Sequence, residues 1–153
     1  MTKILLIVAH APSPNTQILA DAVLQGAQSE APGIQVCHIP PLQATAEDVL
    51  QADALILGTT ENLGYMSGAL KDFFDRIYYP CLEVKQGLPY ALYIRAGHDG
   101  TGTRRAVDSI TTGLRWRPVQ EPLICRGDFD PAFVDQCREL GMAMAVGLEA
   151  GII

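Results

Sequence analysis

Apolar residues recur along this chain in two rhythms. Short unbroken runs fall at residues 3–9 (KILLIVA), 34–39, 54–58 (ALILG), 90–96 and 119–125. Such runs, bounded by turn residues, predict strands buried on both faces. Between them the spacing changes to that of helices. From Thr16 the positions Leu19, Ala22, Val23 and Ala27 share a face, and the pattern ends near Gly33. Thr45 followed by Asp48 predicts a short capped helix running to about Gln51. Met66, Leu70, Phe73, Phe74 and Ile77 line one helix face, and residues 103–114 predict another helix. Asp130-Pro131 opens the last, with Asp as N-cap and Pro at the first helical position, ahead of Phe133, Cys137, Leu140 and Met144. Strands alternating with helices predict an α/β fold, a three-layer sandwich around a parallel sheet. At this length the economical solution is a five-stranded sheet in the order 2-1-3-4-5.

Composition narrows what such a domain does. The 153 residues predict a single domain over 1–153. With 48% hydrophobic and 18% charged residues, the chain is too apolar for disorder. Its formal net charge of −6 gives no basic face for nucleic acid and no polybasic membrane anchor. Cys37, Cys81, Cys125 and Cys137 form no closely spaced pair, so neither zinc nor a disulfide scaffold is expected, and buried free thiols are. The early apolar run is too short for a signal segment or a membrane span. A cytoplasmic protein is the expectation.

In this fold ligands bind beyond the carboxyl ends of the strands, where the strand order reverses. The three segments there share a polar, glycine-rich or capping character. After the first strand, residues 10–17 (HAPSPNTQ) combine Ser13, Asn15, Thr16 and Gln17 with the free N–H groups of a starting helix. That combination suits a phosphate, and equally suits a simple helix cap by Ser13 or Asn15. After the third strand comes Gly58-Thr59-Thr60-Glu61-Asn62-Leu63-Gly64-Tyr65, followed by Met66-Ser67-Gly68. Its glycines suit close approach of backbone to a flat ligand, its polar members can meet ring edges, and Leu63 or Tyr65 can cover a face. A surface turn ending in a helix cap at Ser67 is the plainer reading. The third segment, Gly97-His98-Asp99-Gly100, lies beside the same crevice.

These loops resemble those of the flavodoxin-like superfamily, in particular its NAD(P)H-dependent FMN reductases and quinone reductases. The resemblance is carried by Gly58-Thr59-Thr60-Glu61-Asn62, Gly64, Met66-Ser67-Gly68, Leu70-Lys71 and Phe74-Asp75-Arg76, flanked by a strand and a helix. Ser13-x-Asn15-Thr16 is similar to the phosphate loop of that superfamily, and Gly97-x-Asp99-Gly100 to its third flavin-side loop. The resemblance implies bound FMN. Its phosphate would lie on Ser13, Asn15, Thr16 and Gln17, and its ring between residues 60–65 and 97–100, with Thr59, His98 and Gly100 close by. It further implies NAD(P)H as co-substrate and a quinone, a free flavin or a redox protein as acceptor. No catalytic residue is implied, because the flavin carries the chemistry. The sequence departs from the pattern at Thr60, where proline is usual, and at Asn62-Leu63, where an aromatic is common.

Arg104, Arg105, Arg115 and Arg117 cluster around the fourth main helix. They suit a solvated face, a subunit contact, or attraction of the NADP phosphate. The resemblance also implies a homodimer, to which Tyr78-Tyr79-Pro80-Cys81 would contribute. Two other functions share the scaffold: a flavodoxin-type electron carrier without NAD(P)H activity, whose acidic charge suits basic partners, and a flavin-free interaction module. A phosphoacceptor response regulator is excluded, because Gly58-Thr59 stands where its aspartate must be.

Overall fold

The computed structural model describes residues 1–153. In chain order the elements are β1 (Ile4–Ala9), α1 (Pro14–Ser29), β2 (Gln35–His38), α2 (Ala46–Gln51), β3 (Ala54–Asn62) and β4 (Tyr65–Met66). They continue with α3 (Gly68–Cys81), β5 (Pro89–Ala96), α4 (Thr101–Leu114), β6 (Arg117–Pro118), β7 (Leu123–Arg126) and α5 (Pro131–Glu149).

The sheet runs β2-β1-β3-β5, with β6 and β7 both continuing it beyond β5. Counting β6 and β7 as one interrupted edge strand, this is the expected 2-1-3-4-5 order. Every pairing is parallel except the short β3–β4 contact. Two differences from the sequence expectation stand out. The third strand runs four residues past Gly58, to Asn62, because its polar end pairs with Ile94 and Arg95 of β5 and then with β4. The fifth strand is not continuous, and residues 119–122 leave the ladder between Pro118 and Pro122.

One hydrophobic cluster packs α3, α4 and the short α2 on one face of the sheet, around Phe73, Phe74 and Trp116. The second packs α1 and α5 on the other face, around Leu19, Val23, Tyr93 and Met144. The α1–α5 contact is unusually close. A Cβ on Gly141 would lie 2.1 Å from the Val23 carbonyl oxygen and one on Gly26 1.9 Å from that of Arg138. That contact fixes the axis of α1, and so the place where its N-terminus emerges at the carboxyl edge of the sheet. At burial worth ~25 cal/mol per Å², these two cores form a rigid platform under the loops that follow β1, β3 and β5.

Candidate functional site

The head of α1 is built by Ser13. Its side chain accepts from the Thr16 N–H at 3.3 Å, and the Thr16 hydroxyl accepts from the Ser13 N–H at 2.9 Å, a reciprocal capping box. Pro14 occupies the first turn, where its missing donor is no loss. Thr16 is buried beneath the turn, whereas Ser13, Asn15 and Gln17 are exposed. Of the two readings of this segment the cap by Ser13 is present, and the Ala11 and Asn15 N–H groups have no acceptor in the protein. The first turn carries no acidic residue, although a helix N-terminus favours one. The short α2 has Glu47 and Asp48 in that place.

The segment after β1 is tied to β3 by the His10 N–H, which donates to the Gly58 carbonyl at 3.0 Å. Partial burial holds the His10 imidazole below its ordinary pKa. Gly58 itself is not an open approach to a ligand, because a Cβ there would meet the Tyr93 ring at 2.4 Å. Thr59 is likewise internal: its hydroxyl donates to the Thr60 carbonyl at 2.9 Å and accepts from the Ser67 N–H at 3.0 Å. It braces the loop from below, while Ser67 caps α3 by accepting from Leu70 at 3.1 Å.

Above that brace β3 and β4 form a tight hairpin. Leu63 and Gly64 are its two turn residues, with φ of 54° and 75°, the sign pattern of a type I′ turn. Glycine is at ease there, whereas leucine costs about 1–2 kcal/mol in the left-handed region. The Leu63 side chain is fully exposed, so packing within the chain does not offset that cost. Tyr65 is exposed beside it, and the Thr60 hydroxyl donates to Asn62 Oδ1 at 2.9 Å.

Two contacts that sequence reasoning missed hold this hairpin in place. The Glu61 carboxylate accepts from the His98 N–H at 3.2 Å and from the Gly100 N–H at 2.9 Å, clamping the hairpin to the third loop. Gly102, in the first turn of α4, lies against the hairpin tip, and a Cβ there would sit 2.1 Å from the Gly64 carbonyl oxygen. Neither residue carries a local pattern that would reveal its partner. The third loop is further fixed by Gly100, left-handed with φ of 71°. Asp99 contributes as well, since its carboxylate accepts from the Thr101 N–H at 3.0 Å and its carbonyl from Arg126 at 2.8 Å. The Thr101 bond lowers the Asp99 pKa.

The three loops thus meet at one edge of the sheet. Ser13, Asn15 and Gln17 lie at the helix start, Thr60 through Tyr65 on the hairpin, and Gly97 and His98 exposed beside it. Of the arginines, Arg104 is engaged with Asp108 and Glu121 at 3.7 and 3.4 Å, whereas Arg105, Arg115 and Arg117 are exposed.

A parallel sheet in this order, with a capped helix start and a hairpin at its switch point, defines a flavodoxin-like protein. Residues 37–123 match the model of the family described as NADPH-dependent FMN reductase, and the chain belongs to that family. It is 33% identical over 110 residues to a flavodoxin of Aquifex aeolicus (strain VF5), covering 71% of this chain and 58% of that protein. The match therefore spans little more than half the length of that relative. Among solved structures, a flavodoxin from the domain Archaea superposes with a TM-score of 0.78 at 18% identity, over 97% of this chain and 99% of the other. The two-electron reduced flavodoxin of Megasphaera elsdenii gives 0.75 at 19%, over 93% and 98%. Identities this low establish the fold alone.

The residues present fit a phosphate-bearing flat cofactor. At the α1 head, exposed hydroxyl and amide side chains, two unpaired main-chain N–H groups and a first turn without an acid make an anion cradle, with the Gln17 amide resting on Asp21 at 2.9 Å. Beside it stands an apolar side chain held outward in a strained backbone conformation, a feature that concentrates at ligand-binding positions.

Proposed function

We propose that the chain binds FMN across these three loops and passes electrons from NAD(P)H to a quinone, a flavin or a redox protein. The observation that carries this reading is the α1 head, with its unpaired Ala11 and Asn15 N–H groups and no carboxylate in its first turn. In this reading Ser13, Asn15 and Gln17 hold the phosphate, and Thr16, buried with its N–H and hydroxyl bonded to Ser13, shapes the turn. Thr60, Glu61, Asn62, Gly97, His98 and Gly100 frame the ring edge, Leu63 and Tyr65 cover a face, and Thr59 with Gly64 shapes the hairpin. FMN supplies the hydride and electron chemistry when bound. The chain supplies placement: Glu61 fixes the distance between hairpin and third loop, and the capping box fixes the helix start. The phosphate is met by neutral donors and the positive end of α1 rather than by a cation. Placement in the cytoplasm accords with four free cysteines, and no helix is long and apolar enough to cross a membrane.

The test is an absorption titration of the purified protein with FMN and, in parallel, with riboflavin. Stoichiometric binding of FMN at micromolar Kd or tighter, with riboflavin at least ~10-fold weaker, is the expected outcome. Equal affinity for both would remove the phosphate cradle from the reading, and no binding of either would remove the flavin. A second reading, an electron carrier inert toward nicotinamide, is favoured by the 33% identity to a flavodoxin. Steady-state NADPH oxidation with a small quinone separates them, since a carrier alone turns over negligibly.

A further inference from the structure

One peptide group in the third loop is held at both ends by opposite charges. The Gly100 N–H donates to the Glu61 carboxylate at 2.9 Å, and the carbonyl of the same peptide, that of Asp99, accepts from Arg126 Nε at 2.8 Å. Glu61 reaches it from the hairpin and Arg126 from the far side. Arg126 is the last residue of β7 and stands opposite Ala96 in the ladder. The next N–H, that of Gly127, donates to the Ala96 carbonyl at 2.9 Å, so the base of the arginine is fixed to the root of the loop. The guanidinium makes no ion pair, and the Asp99 carbonyl is its one partner in the fold.

The backbone alone does not choose this orientation. Gly100 sits at φ of 71°, and glycine accepts either sign of φ, so the Asp99–Gly100 peptide is free to turn over. Turned over, it would aim its carbonyl at the Glu61 carboxylate and its N–H at the Arg126 cation, making two attractions into two repulsions. Hydrogen bonds to charged groups are the stronger kind, and they decide. We propose that Arg126, which lies outside the proposed flavin site, is a positioning residue for it: with Glu61 it locks the Asp99–Gly100 peptide in one orientation and so fixes the third loop against the ring. This inference rests on the flavin reading above. Without Arg126 the peptide is held from one side, and the Glu61 link between hairpin and third loop loses its fixed partner.

Arg126→Met and Arg126→Gln separate the bond from the bulk. Both preserve reach, and the Gln amide nitrogen stands as far along the side chain as Nε does, so it restores the donor without the charge. Hydrogen exchange of the Gly100 N–H, read by ¹⁵N-correlation NMR without flavin, is expected to be about 10-fold faster in Arg126→Met and near the parent rate in Arg126→Gln. In the absorption titration Arg126→Met weakens FMN and riboflavin by one common factor, roughly 5–10-fold, because the α1 head is untouched. Arg126→Gln binds both as the parent does. Parent-like exchange in Arg126→Met, or Arg126→Gln behaving as Arg126→Met does, would overturn the lock. Faster exchange with flavin affinities unchanged would overturn its role in the site. A parent protein that binds neither flavin would overturn the reading of the site and this role with it, and the exchange rates would still report the lock.

Discussion

Replacing Gly102 by alanine tests whether the hairpin is seated on α4 as described. Two opposing effects are expected. Alanine is the better helix former by about 0.5–1 kcal/mol. Against this, the new Cβ would lie 2.1 Å from the Gly64 carbonyl oxygen, roughly 1 Å inside any tolerated contact. The atom it meets is backbone, held by the Glu61 clamp and the β3–β4 pairing. It yields only if the whole hairpin moves, at a cost of about 1–3 kcal/mol. The clash wins, and a net loss of about 1–2 kcal/mol follows. Gly113→Ala in the same helix is the comparison. Its Cβ meets the Tyr78 phenol oxygen at 2.3 Å, the far end of a half-buried side chain. That end can shift, so this variant is destabilised less than Gly102→Ala. Urea unfolding at unchanged m-value reads both. FMN titration of Gly102→Ala should show weakened binding, because the displaced hairpin carries the ring-facing residues. A Gly102→Ala protein as stable as the parent would refute the seating of the hairpin.

Ser13→Ala removes the α1 cap, costing about 1 kcal/mol in thermal or urea unfolding, and weakens FMN more than riboflavin. Leu63→Gly relieves a left-handed leucine whose side chain packs on nothing. It should raise the urea midpoint by the equivalent of about 1 kcal/mol while loosening FMN, and a loss of stability would contradict the strain. Burial keeps His10 neutral in the fold, so as pH falls below about 6.5 the unfolded chain takes up the proton first. Stability should therefore decline between pH 7 and 5, with a smaller decline in His10→Asn, by denaturant titration at each pH.

How much of this was visible in the amino-acid pattern follows from the range of the forces involved. The KILLIVA run, the Thr45–Asp48 box and the Asp130-Pro131 start each encode their structure within a few residues, and each appears where expected. The extension of β3 through Thr59–Asn62 was not legible, because a polar segment holds as strand only through its partners on β5 and β4. The apolar residues of 119–125 predict one continuous strand across the gap after Pro118, and the prolines at 118 and 122 are the signal against it. At the candidate site the residue types were legible, but their division of labour was not. Thr59 turns inward, Gly58 makes room for Tyr93, and Glu61 reaches across to the third loop. The first depends on Ser67 eight residues on, the other two on partners more than thirty residues away.

The interrupted edge also bears on self-association. An exposed strand invites a second chain to extend the sheet by main-chain pairing. Here one border of the sheet is cut into pieces of two and four residues with Pro118 and Pro122 around the gap, and the other, β2, is only four residues long. Neither border offers a continuous template. Copies of this chain that associate find no continuous edge to pair on, and the fold is guarded against runaway sheet growth at both of its borders.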